Sequence, residues 1–162
     1  MITISENIII NSDINKIWAF ITEFSLSLTY NRFHTNLELP SNYSVGKMKK
    51  FKINHNFGFG NYEMVAEITE CTPPNRLCIS EYCKGEKEKG FPHSIQFYIE
   101  PHRGKSKIFY TVAGTYGGKV QDMSFKQILK GVMIEELLKI KNAIESSENV
   151  PKTITSETVK PI

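Results

Sequence analysis

The chain has 162 residues, 40% of them hydrophobic and 23% charged, with a formal net charge of +3. That size and composition suit one soluble globular domain able to bury a core of its own. The basic residues are scattered, with only Lys47, Lys49, Lys50 and Lys52 grouped. No nucleic-acid partner is therefore expected, because such affinity needs a continuous basic surface.

No apolar run approaches the about 20 residues of a membrane-spanning helix, so no membrane span is expected. The N-terminus opens without a basic leader, which points to a cytoplasmic protein. Cys71, Cys78 and Cys83 are odd in number and lack paired ligand spacing. They are expected to be free thiols packed as small apolar residues.

Ile2 to Ile10 is β-branched and predicts a first strand, with Ile2, Ile4, Ile8 and Ile10 in phase. Asn11, Ser12 and Asp13 offer capping oxygens to a short helix carrying Ile14, Ile17, Trp18 and Ile21. A second short helix or loop is expected over Ser25 to Phe33. From Asn36 the period changes to two for some eighty residues. Leu37 and Leu39 mark an edge strand before Pro40. Gly46 to His55 follows, with Phe51, Ile53 and His55 on one face. The Gly and Asn residues of 56–61 predict a turn.

Tyr62 to Thr72 alternates, with Tyr62, Met64, Ala66 and Ile68 on one side. The turn 72–75, Thr-Pro-Pro-Asn, cannot continue a ladder. Arg76 to Lys84 returns with Leu77, Ile79, Glu81 and Cys83 in phase. His93 to Glu100 turns Ile95, Phe97 and Ile99 inward, and Lys107 to Gly114 does so with Ile108, Tyr110 and Val112.

Asp122 to Ser146 then predicts one long amphipathic helix. Phe125, Ile128, Leu129, Val132, Met133, Leu137, Ile140 and Ile144 share a side. Gly131 would cost about 1 kcal/mol inside it, which suggests a close approach or a bend. The polar stretch 147–162 is expected to be a disordered tail, leaving one domain over 1–146. The fold class is α+β: a curved antiparallel sheet of about seven strands around a C-terminal helix.

This order resembles the helix-grip fold of the START-like (SRPBCC) superfamily, in its polyketide cyclase/dehydratase branch. The opening strand Ile4 to Ile10, Ile17-Trp18 in the first helix and the hairpin Val65 to Leu77 carry the resemblance. That hairpin reads Glu67-Ile68-Thr69-Glu70, then Pro73-Pro74 and Arg76-Leu77. The turn over 56–61 departs from the plant-allergen members, which carry a Gly-rich loop with a Lys there. The resemblance spans about residues 2–146 and implies a cavity between sheet and helix.

The residues predict its lining as Phe51, Ile53, Tyr62, Met64, Leu77, Ile79, Ile95, Phe97, Ile108 and Val112 from the sheet. Phe125, Leu129, Val132 and Met133 would face them from the helix. An apolar lining with few polar groups suits a small hydrophobic or amphipathic ligand of lipid, isoprenoid or aromatic polyketide type. No cofactor is expected, no metal-ligand spacing stands out, and nothing marks an oligomeric state.

His55 and Glu81 are the polar residues in phase with apolar faces. Together with Tyr110 they could do acid–base chemistry of the cyclase or dehydratase kind. The competing readings are a hydrated strand-end His, a hydrated edge Glu, and core tyrosines at 62 and 110. Tyr30, Arg32 and His34 fall between the second short helix and the edge strand, near where the resemblance implies that the cavity opens. Arg32 could meet a ligand carboxylate or lie on the surface, and His93 and His102 are expected to be exposed. A third reading is a protein-interaction module resembling the chaperone-activator branch, using the exposed sheet face and Lys49 to Lys52.

Overall fold

The computed structural model describes residues 1–45, 50–86 and 89–148. Strand β1 (Ile2–Ile10) leads into α1 (Ile14–Thr22), α2 (Phe24–Ser27) and a 3-10 turn (Leu28–Tyr30). Six strands follow: β2 (His34–Glu38), β3 (Lys50–Asn56), β4 (Asn61–Thr72), β5 (Arg76–Cys83), β6 (His93–His102) and β7 (Lys105–Gly114). Helix α3 (Lys119–Glu148) closes the described chain. Of the expected disordered tail 147–162, Ser147 and Glu148 instead continue α3, and the rest lies outside the described residues, as do Gly46 to Lys49 of the expected third strand and Lys87 and Glu88 of the charged loop.

The seven strands form one antiparallel sheet in the order β1-β7-β6-β5-β4-β3-β2. Consecutive hairpins build β2 through β7, and β1 joins β7 at the far edge, with Ile4 opposite Val112. The helical segment α1-α2 must therefore cross from one sheet edge to the other. Asp13 starts it as the cap, accepting a bond of 2.8 Å from Asn15 N–H. The β4–β5 hairpin turns at Pro73-Pro74, and Asn75 Nδ2 ties that turn to Ile99 of β6 at 3.1 Å.

Inward strand positions and one stripe of α3 form a single core. Phe125, Leu129, Val132, Met133, Leu137, Ile140 and Ile144 are all buried, and each such side chain contributes roughly 1.5–3 kcal/mol. Ile128, expected on that stripe, is 43% exposed instead. It stands one residue before Leu129, about 100° around the helix, and turns outward. Gly131 is also exposed, and a Cβ added there would touch nothing within 4 Å. It marks no close approach, and the helix runs through it unbroken.

Candidate functional site

Four strands of the sheet converge on one buried polar cluster. Alternation on β3 and β5 turns His55 and Glu81 inward with their apolar neighbours, and both are 1% exposed. His93 on β6 lies directly across from Glu81, and His34 on β2 lies across from His55. Gly114 lets His93 in, because a Cβ at Gly114 would fall 2.6 Å from both His93 Cβ and Pro92 O.

His55 Nε2 is 3.0 Å from Glu81 Oε2, and His93 Nε2 is 3.4 Å from that same oxygen. The His34 and His55 rings stand nearly perpendicular, with centroids 4.6 Å apart. Close as it is, the His55–Glu81 contact lacks hydrogen-bond alignment. Neither ring nitrogen of His55 and neither carboxylate oxygen of Glu81 has a hydrogen-bond partner. Buried groups of this kind are uncommon, since each forfeits its hydration without replacement.

Burial disfavours charge on all three imidazoles. It presses His55 down to about 3 and His34 to about 4, the latter with help from neighbouring His55. His93 is lowered by burial as well, against the pull of Glu81. The three rings are therefore neutral at neutral pH. Two of them are fixed by the backbone: His34 Nδ1 donates to Leu28 O and His93 Nδ1 donates to Phe91 O, each at 2.7 Å.

Aromatic rings wall the cluster. Phe57 stacks on His55 at 5.0 Å, and Phe91 stacks on His93 at 4.8 Å. Phe125 of α3 meets both phenylalanines, at 5.8 and 5.0 Å. On the outer side, an open groove of about 430 Å³ includes Leu28, His34, Thr35, Leu37 and Ile53 in its lining. His34 thus belongs both to the groove and to the buried cluster.

Of the three residues expected to work together, two meet. His55 and Glu81 touch, and the reading of each as a hydrated edge residue is overturned by their burial. The Tyr110 hydroxyl is committed elsewhere, donating to Glu136 Oε2 of α3 at 3.0 Å. Asn31 Nδ2 donates to that oxygen at 2.9 Å. Glu136 is 2% exposed, and burial raises its carboxyl to about 8. It is therefore largely protonated at neutral pH.

The expected lining residues Phe51, Ile53, Met64, Leu77, Ile79, Ile95, Phe97, Ile108, Val112, Phe125, Leu129, Val132 and Met133 are buried, while Tyr62 is half-buried. Arg32 is an exposed surface residue 3.7 Å from Glu135. His93 corrects the expectation of exposure: its side chain is 6% exposed, because the strand begins there and the loop before it folds Phe91 inward. Glu136 escaped the sequence analysis, although it lies four residues from both Val132 and Ile140 on the buried stripe. His34, expected near the cavity mouth with Tyr30 and Arg32, carries no local signal of its partners, which come from other strands.

No family model matches the sequence, and no curated protein matches it. Its architecture is nonetheless shared with solved structures. A START superfamily protein from Mycobacterium smegmatis superposes with a TM-score of 0.67 at 13% identity, covering 90% of this chain and 98% of the other. A conserved protein from Geobacillus kaustophilus gives 0.69 at 18% identity, covering 90% and 97%. The di-domain ARO/CYC StfQ of the steffimycin biosynthetic pathway gives 0.68 at 13% identity, with 91% of this chain on 52% of that one. The chain has the START-like helix-grip fold.

Proposed function

We propose that the protein binds a small amphipathic molecule between sheet and α3, with the molecule's polar end at His55 and Glu81. The supporting observation is the Glu81 carboxylate: buried among apolar rings, without a hydrogen bond, in a cluster whose His34 also lines the surface groove. Binding sites combine an apolar wall with a few polar groups that fix orientation, and a polar group kept unpaired in the core costs stability unless it serves a partner. A lipid, isoprenoid or aromatic polyketide class of ligand fits the aromatic wall of Phe57, Phe91 and Phe125.

Native mass spectrometry of protein purified from its own host tests this reading. A retained small molecule, released on denaturation, is the expected result. In its support, a hydrophobic fluorescent probe should bind the stripped protein, and Leu37→Trp in the groove should weaken it tenfold or more. The reading fails if the folded protein retains nothing and captures no probe.

A second reading is favoured by the 3.0 Å His55–Glu81 contact. The contact sets an imidazole and a carboxyl group side by side, the two group types that the proton transfers of aldol-type cyclisation or dehydration use. His55→Ala distinguishes the two. For a binding protein it should leave probe affinity within about tenfold, the cost of one hydrogen bond. For a catalyst it should abolish turnover of a poly-β-keto substrate while binding persists.

A further inference from the structure

We propose that His34, His55 and Glu81 hold a divalent first-row transition ion, zinc by donor chemistry, with His93 as the fourth donor. This deepens the binding reading, resting on it for where the site lies and not for any organic ligand.

The first argument is convergence. One ligand-capable atom from each of His34, His55 and Glu81 lies within 4.8 Å of the other two. Zinc bonds of about 2.0–2.1 Å place tetrahedral ligand atoms about 3.3 Å apart. The Glu81 oxygen already stands 3.0 Å from His55 Nε2 and 3.4 Å from His93 Nε2. His34, which also lines the groove, and His93 would close in on the ion from either side of the His55–Glu81 pair.

The second argument concerns protons. A backbone carbonyl can only accept, so the bonds to Leu28 O and Phe91 O place the hydrogen of each neutral ring on Nδ1. Nε2 of His34 and of His93 is then a bare lone pair. His93 Nε2 faces the Glu81 Oε2 oxygen at 3.4 Å. A cation between those two atoms would be held by both. Outer hydrogen bonds from ring N–H to carbonyl are also what orient metal-binding imidazoles.

The third argument is donor type. Imidazole and carboxylate suit zinc and its first-row neighbours, whereas calcium and magnesium prefer all-oxygen shells. His55, Glu81 and the His93 side chain are held apart from solvent and half-buried His34 stands at the groove, all four on strands, so the site is built by the sheet and not by a loop.

The test uses the full chain, freed of metal with a chelator and titrated with zinc sulfate by calorimetry, and with cobalt(II) by ligand-field absorption. The expected result is one equivalent of zinc, with a cobalt spectrum of tetrahedral type. Glu81→Gln and His34→Ala should each weaken uptake by about 10–100-fold or more, while His102→Ala, outside the cluster, should leave it unchanged. Circular dichroism checks that each variant is folded, and His34, nearest the groove, is the position least able to disturb the core. The proposal is overturned if the folded wild type takes up no stoichiometric zinc, in which case a proton alone bridges the cluster. Uptake that persists in both Glu81→Gln and His34→Ala overturns it equally. Probe capture by the metal-free protein is scored separately, so loss of the organic-ligand reading and loss of the metal site give different results.

Discussion

The hydroxyl of Tyr110 on β7 donates to Glu136 on α3 across 3.0 Å, and Asn31 meets the same carboxyl from beside the 3-10 turn. One buried acid thus joins the sheet, the long helix and the connection between them. Its charge state has consequences that solution measurements can read.

The Glu136 carboxyl is raised from an ordinary 4.5 to about 8 in the folded protein, chiefly by burial. The folded state therefore binds more protons than the unfolded chain between those values, and stability falls as pH rises through that window. The lowered histidines act oppositely, but below their unfolded value of 6.5. From pH 6.5 to 8 the fall belongs to Glu136, with a slope of at most about 1.4 kcal/mol per pH unit. Denaturant melts of the wild type should show it. Glu136→Gln, which keeps an acceptor for Tyr110 and Asn31, should flatten it; an unchanged slope would refute the assignment.

Glu81 is expected to trade stability for function. Its carboxylate is buried without a hydrogen bond, and replacement by an apolar side chain of similar length removes that cost. Glu81→Met should therefore stabilise the metal-free protein by about 1–3 kcal/mol in urea unfolding. Destabilisation of that size would mean that the carboxylate is held by interactions stronger than the geometry suggests.

Gly114 should tolerate no side chain. The Cβ of Gly114→Ala would meet His93 and Pro92 at 2.6 Å, closer than van der Waals contact allows. Overpacking of this kind costs about 1–3 kcal/mol. The displaced ring should also be visible as a changed His93 imidazole resonance in NMR spectra, with the other histidines less affected.

Phe125 closes the cluster from the helix side, touching Phe33, Phe57, Phe91 and Tyr116. Phe125→Ala should cost about 3–5 kcal/mol by thermal or chemical unfolding. A loss under 1 kcal/mol would show that the aromatic wall collapses readily and is less tightly packed than its ring contacts imply.

Local periodicity carried most of the fold. Alternation on β3, β5, β6 and β7 and the 3.6-residue stripe of α3 each record which side faces the core. Phe51 and Ile53, Leu77 and Ile79, and Phe125 to Ile144 could thus be assigned to an interior from spacing alone, and the Pro73-Pro74 turn fixed one hairpin. The exposed Ile128 shows the limit: a stripe has edges, and only the facing sheet decides how wide the buried arc is.

The sequence by itself determined an antiparallel sheet gripping a long helix, and that His55 and Glu81 stand in phase with apolar positions, because period and phase are properties of neighbouring residues. Only the tertiary structure decided who meets whom. Strand order brings His34, His55, Glu81 and His93 together from positions far apart in the chain. Sheet–helix packing, in turn, diverts Tyr110 to Glu136. Register across non-adjacent strands has no signature in local spacing, and the chemistry of the site resides in that register.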